Sequence, residues 1–214
     1  MSPYALLALL LQYPEVPILD AREEIVEAIR ELAQQGLGEL GQGSFVAWWL
    51  ETPGWELQSA YVDTFDLGRR CSLYLTYPLL GDRRERGMAL LRLKHRYALH
   101  GLELSDRELP DFLPVMLEYA ASEPDGEALL AEHRVPLELL RAALDDLGSA
   151  YAAPVAAVCA LLGPLSDADR DQAQEIAEHG PPMETVGLEP FAPPEVMPVD
   201  PTDAIAAVER GLRR

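Results

Sequence analysis

Residues 72–79, SLYLTYPL, decide the fold class. Their β-favoured composition would suit a short strand. A strand needs a pairing partner, and no second run of this kind stands elsewhere in the chain. The segment is therefore expected to be helical, and the molecule with it all-α. It lies within residues 61–87, YVDTFDLGRRCSLYLTYPLLGDRRERG, a stretch dense in aromatic, charged and glycine residues. That stretch holds no nucleophile with a base and no metal-ligand spacing, and its one cysteine, Cys71, has no partner nearby. It reads as a binding surface, not as a catalytic centre.

Working outward, nearly everything before residue 178 reads as helix. Ser2 and Pro3 open a helix over 4–13, which Pro14 and Pro17 end. Asp20 is placed to cap a helix over 21–35, with Ile25, Ile29 and Leu32 on one apolar face. Gly36, Gly38, Gly41 and Gly43 mark a loop. A short apolar helix follows over 45–50, then one over roughly 54–65. Gly81 and Asp82 open the longest helix, 83–100, closed by Gly101. Further helices are expected over 111–122, with Pro114 in the first turn, and over 124–134, 136–147, 152–162 and 167–179. The architecture implied is a helical bundle with short connections. It would form a single domain over 1–178. A proline-rich tail over 179–214 follows, with a short helix over 202–212.

Bulk composition narrows the function. A chain of 214 residues can bury about 70% of its unfolded surface and needs no disulfide or metal to fold. Its 36 acidic and 17 basic residues give a formal charge of −19. That charge argues against nucleic acid and against anionic membrane surfaces as partners, and for a basic or apolar one. The apolar run at 5–11 is too short to span a bilayer and lacks the flanks of a signal peptide. Cys71 and Cys159 stand far apart, which fits a reducing compartment. The expected location is the cytoplasm.

No set of side chains suggests chemistry. His95 and His100 are five residues apart on one helix, whereas a metal pair needs three or four. His133 and His179 are isolated. No cofactor is expected. In GDRRERG, Asp82 is placed to cap the helix that follows. Arg83, Arg84 and Arg86 crowd the same N-terminus, where cations are unfavourable, and so call for a carboxylate elsewhere in the fold or for a ligand. Tyr61 and Phe65, with Tyr74 and Tyr77, form aromatic stripes at helical spacing. Such stripes suit either core packing or a groove, and Asp63 and Asp66 lie on a face beside them.

These residues also carry a family resemblance. YVDTFD, SLYLTY, GDRRERG and ELPDFLPVMLEY, in this order within 61–121, are similar to the nitrate reductase delta subunit family of assembly chaperones, related to the TorD/DmsD chaperones of molybdenum enzymes. LLLQYPE at 9–15 resembles the family's first helix, and the likeness covers roughly 4–165. The resemblance implies an all-helical protein that is not an enzyme. Such a protein binds the N-terminal, leader-like segment of the nitrate reductase catalytic subunit. It holds the apoenzyme ready for molybdenum cofactor insertion and then leaves. It would not insert in a membrane, and would be a monomer or a dimer.

Leader binding in the related chaperones is attributed to a YxxxF-type helix and to an aspartate–histidine pair before a PVxLE-type helix. Tyr61, Asp63, Phe65 and Asp66 match the first. Pro110 and Asp111 match the second, but Phe112 stands where a histidine is common, so only apolar contact is left to it. The expected groove is lined by Tyr61, Phe65, Leu73, Tyr74 and Tyr77. Asp63, Asp66 and Asp111 would meet basic leader residues, with Glu118 a weaker candidate and Asp82, Arg83 and Arg86 at the edge. The alternatives are a chaperone for another molybdoenzyme with a twin-arginine leader, a helical subunit that stays bound, or a metal-dependent helical enzyme. For the last the sequence offers no ligand set.

Overall fold

The computed structural model describes residues 1–33, 40, 44–68, 70–105 and 108–179. The chain divides into two units, Met1–Met183 and Glu184–Arg214. Only the first contains described residues. The expected tail over 179–214 and its helix over 202–212 lie outside them, apart from His179, as does most of the glycine loop.

Two sequences that are apolar on every side set the centre of the bundle. Helix α1, Pro3–Leu10, and helix α11, Ala152–Leu161, have almost no polar face. Such helices are stable only when surrounded. Leu6, Leu7 and Leu10 of α1 and Val155 and Val158 of α11 are fully buried, and the two helices pack together. Pro3 sits in the first turn of α1, where its missing N–H costs nothing. Pro17 does not end this helix, as its sequence suggested. It lies in the first turn of a separate short helix α2, Val16–Asp20.

Around this centre stand amphipathic helices. Helix α3, Arg22–Ala33, buries Ile25, Val26, Ile29 and Leu32 and turns Glu23, Glu24 and Glu27 outward. It packs on α4, Ser44–Glu51, whose Trp49 is fully buried. Helix α5, Gly54–Tyr61, runs straight into a π-helical turn, Val62–Asp66. The remaining elements are α6 (Tyr77–Leu80), α7 (Arg84–Leu99), α8 (Leu113–Ser122), α9 (Gly126–Glu132), α10 (Arg134–Asp146) and α12 (Asp167–His179). Helix α1 lies along α8, and α8 along α9. Both cysteines are free and buried. The fold is all-α, as the sequence implied.

The deciding segment departs from its expected form. Residues 72–79 are not a helix; only Tyr77–Leu80 is. Before that the chain is irregular, with Cys71, Leu73 and Leu75 buried, Ser72 half-buried and Tyr74 exposed. This period of two is the strand signal in the sequence. The partner it needed exists: Tyr74 forms an isolated antiparallel bridge with Phe112. Leu75 N–H donates to the Asp111 carbonyl at 2.9 Å, and Leu113 N–H to the Leu73 carbonyl at 2.8 Å. Buried backbone must be paired, and residues 36 to 40 positions further along the chain supply the groups. Gly81, with φ of +56°, then turns the chain between α6 and α7.

Candidate functional site

Tyr61, Phe65 and Leu73 are core residues and not groove walls. Tyr61 and Phe65 pack edge-on against Tyr151, with ring centroids 5.9 and 4.9 Å away. The Tyr61 hydroxyl donates to the Leu11 carbonyl at 3.2 Å. Burial, with Asp66 and Tyr74 close by, pushes its pKa well above the ordinary tyrosine value. The π-turn explains how one short segment serves two environments. Its extra residue rotates the chain, so that Phe65 stays inside while Asp63 and Asp66 face solvent.

Asp111 is likewise withdrawn from any ligand. It is fully buried, and its Oδ2 accepts from Thr76 Oγ1 at 2.6 Å and from Arg86 Nη2 at 3.3 Å. Of the arginines crowded at the α7 N-terminus, Arg86 thus finds an internal carboxylate. Arg86 also lies 5.6 Å over the half-buried Tyr77 ring. Asp82 does not cap α7: Arg83 holds the N-cap position, and no side chain closes it. Asp82 stays exposed, 3.9 Å from Arg86. Arg83 reaches only to Glu85, at 3.9 Å.

What remains accessible gathers along one side of α8. Tyr74, 38% exposed, lies against Phe112 with ring centroids 5.4 Å apart. Desolvation raises the Tyr74 hydroxyl pKa, the charges of Asp111, Asp66 and Glu108 raise it further, and Arg86 opposes them. One and two turns along α8 come Val115 and Glu118. They border a cleft of about 280 Å³ whose other walls include Tyr97, Leu102, Leu104 and Tyr119, with Glu103 at its edge. Gln12 Nε2 donates to Glu118 Oε1 at 2.8 Å. Partial burial holds the Glu118 pKa above the usual carboxylate range. The Gln12 bond opposes that shift, and Glu108 adds to it. The face is thus aromatic and aliphatic along its floor and acidic along its rim.

Of the predicted residues, the structure sets Tyr74 against Phe112, leaves Asp66 exposed and places Glu118 at the border of the cleft. The cleft residues Leu102, Leu104, Val115 and Tyr119 were not foreseen. Their only sequence signal was the 112, 115, 119 spacing on α8 and the alternation of Leu102 and Leu104.

The sequence profile of the nitrate reductase delta subunit family matches residues 20–179. The chain belongs to that family. A family member from Escherichia coli strain K12, called a nitrate reductase molybdenum cofactor assembly chaperone, NarJ, is 34% identical over 183 residues, covering 83% of this chain and 76% of that protein. The probable NarJ of Bacillus subtilis strain 168 is 50% identical over 62 residues, 29% of this chain and 34% of that one. The nitrate reductase-like protein NarX of Mycobacterium tuberculosis strain H37Rv is 39% identical over 154 residues, 71% of this chain. The match spans only 23% of NarX. No described helix is long and apolar enough to cross a membrane.

Proposed function

We propose that this chain is an assembly chaperone acting in the cytoplasm, which binds the N-terminal, leader-like segment of a nitrate reductase catalytic subunit. It would keep the apoenzyme competent for molybdenum cofactor insertion and would itself catalyse nothing. Family membership and the name carried by the E. coli relative support this reading. The observation that carries it is the α8 face, where an apolar cleft is bordered by carboxylates contributed from separate parts of the chain. An amphipathic peptide with basic residues fits that chemistry. An apolar leader side chain enters the cleft beside Val115, and a second rests on Tyr74 and Phe112. Basic residues meet Asp66, Glu108 and Glu118. The strong negative charge of the whole protein speeds encounter. The apolar anchors dominate affinity, since exposed carboxylates give about 0–1 kcal/mol each.

Titration of a synthetic leader peptide tests this. Tyr74→Ala and Val115→Glu are each expected to weaken binding about tenfold or more. The unfolding midpoint should stay nearly unchanged in Tyr74→Ala and fall somewhat in Val115→Glu, whose valine also packs on the core. Tyr61→Ala should instead lower the midpoint, because that ring belongs to the core. Unchanged affinity in both Tyr74→Ala and Val115→Glu would refute the assignment of this face.

Glu118 makes a separate pH prediction. Its raised pKa means that it gains a proton just above the ordinary carboxylate range, and binding of a basic peptide should weaken as pH falls through that window. The folded-state value lies above the unfolded one. Protonation of this group therefore favours the folded state, and its contribution to stability is lost as pH rises through the folded pKa. Loss of binding at lower pH is thus not loss of fold. Affinity measured against pH should show this phase in the wild type and lack it in Glu118→Gln. A phase that persists in the variant would remove Glu118 from the site.

A further inference from the structure

Helix α7 is turned inside out. Of its 16 residues only Leu93 and Tyr97 are buried. The side opposite them carries Met88, Leu91 and Leu99, which are 53%, 61% and 72% exposed, with His95 between them. Steps of three, four and four residues align these positions in one stripe, the spacing by which one helix packs on another. A surface helix of a self-sufficient domain places charged residues there instead. Beside the stripe, Leu90, Leu91, Leu104 and Leu109 line a largely apolar cleft of about 290 Å³, with Lys94 and Glu108 also bordering it.

The charge of this face is opposite to that of the molecule. In a chain with 36 acidic and 17 basic residues, α7 has Arg84, Arg86, Arg92, Lys94 and Arg96 against a single Glu85. Arg86 and Arg96 are held internally, by Asp111 and by Asp125 with Glu132. Arg92 reaches a backbone carbonyl of its own helix, that of Met88, at 3.3 Å. Arg92 therefore places its charge beside the stripe, as Lys94 does beside the cleft.

We propose that this stripe docks an acidic amphipathic helix of a partner protein, at a site distinct from the leader-binding face. Leu91 and Leu99 meet the partner's apolar stripe, and Arg92 and Lys94 meet its flanking carboxylates. The two clefts adjoin at Leu104, which lines both, but the stripe stands apart from the leader-binding face: Tyr97, in the wall of the acidic cleft, lies on the side of α7 away from Met88 and Leu91. A second copy of this chain is the poorer occupant, because two-fold pairing of the stripe would set Arg92 and Lys94 against themselves. An anionic bilayer is poorer still, given the charge of −19.

The test uses the full chain and a labelled synthetic helix with a leucine stripe flanked by glutamates. Its lysine-flanked twin, phosphatidylserine vesicles and sedimentation of the chain alone serve as the other arms. Saturable binding of the glutamate helix is expected. It should weaken about tenfold in Leu91→Glu and in Arg92→Glu, while the affinity for the leader peptide stays the same. Both substitutions lie on exposed positions, and an unchanged unfolding midpoint shows that the fold is kept. Four results would overturn the proposal: no saturable binding, equal binding of the lysine twin, equal binding by both variants, or a stripe that drives self-association or vesicle binding instead.

Discussion

Replacing Arg86 with alanine is expected to cost about 3–5 kcal/mol of folding stability, read as a lower urea midpoint. The substitution leaves the Asp111 carboxylate fully buried without its counter-charge. That carboxylate is already sparingly served: Oδ2 accepts from Thr76 Oγ1, Thr76 N–H and Arg86, while Oδ1 has no partner. Arg86 Nε also donates to Thr76 Oγ1 at 3.1 Å, so its loss loosens both neighbours. A buried pair need not stabilise a fold more than apolar residues of the same size would. The paired change Arg86→Met with Asp111→Leu is therefore expected to recover most of the loss. If Arg86→Ala cost less than about 1 kcal/mol, the pair would be no more than a surface contact.

Gly126→Ala should be nearly as damaging, at about 3 kcal/mol. Gly126 begins α9 where it crosses α8, and both helices approach by backbone. A Cβ there would stand 2.2 Å from the Ala120 Cα, 2.9 Å from its nitrogen and 3.0 Å from the Tyr119 carbonyl oxygen. Nothing flexible can yield, so α9 must move off α8. That shift would pull Asp125 from the Tyr119 hydroxyl and from Arg96. Gly87→Ala is the natural contrast. It lies within α7 with open space around the added carbon, and should stabilise by about 0.5–1 kcal/mol through helix propensity. Thermal unfolding of the two variants side by side checks both signs. Equal effects would mean that the α8–α9 contact is looser than drawn.

Much of the fold was legible because proline, glycine and apolar periodicity act locally. Pro3, Pro114, Gly54 and Gly101 mark helix ends within a residue or two of where they fall. The all-apolar runs of α1 and α11 announce the centre of the bundle by the same logic. The site was less legible, because it depends on pairs far apart in the chain. Spacing at Tyr61 and Phe65 says that two rings share one side of a helix. It does not say whether that side meets Tyr151 or a ligand, and here it meets Tyr151. The arginine crowding at the start of α7 called for a carboxylate elsewhere in the fold or for a ligand. Only the fold shows that the carboxylate is Asp111, 25 positions from Arg86. The strand-like alternation of Cys71, Leu73 and Leu75 was genuine, and it was discounted because its partner, Phe112, lies next to a helix and in no second run of its own.

The bridge between Tyr74 and Phe112 has a bearing on when this protein becomes competent in the cell. It splices two stretches that leave the ribosome at different times. The gripping surface draws on Gln12, Asp66, Tyr74, Glu108 and Glu118, so no half-made chain possesses it. Under the function proposed above, client capture would await the folding of this face.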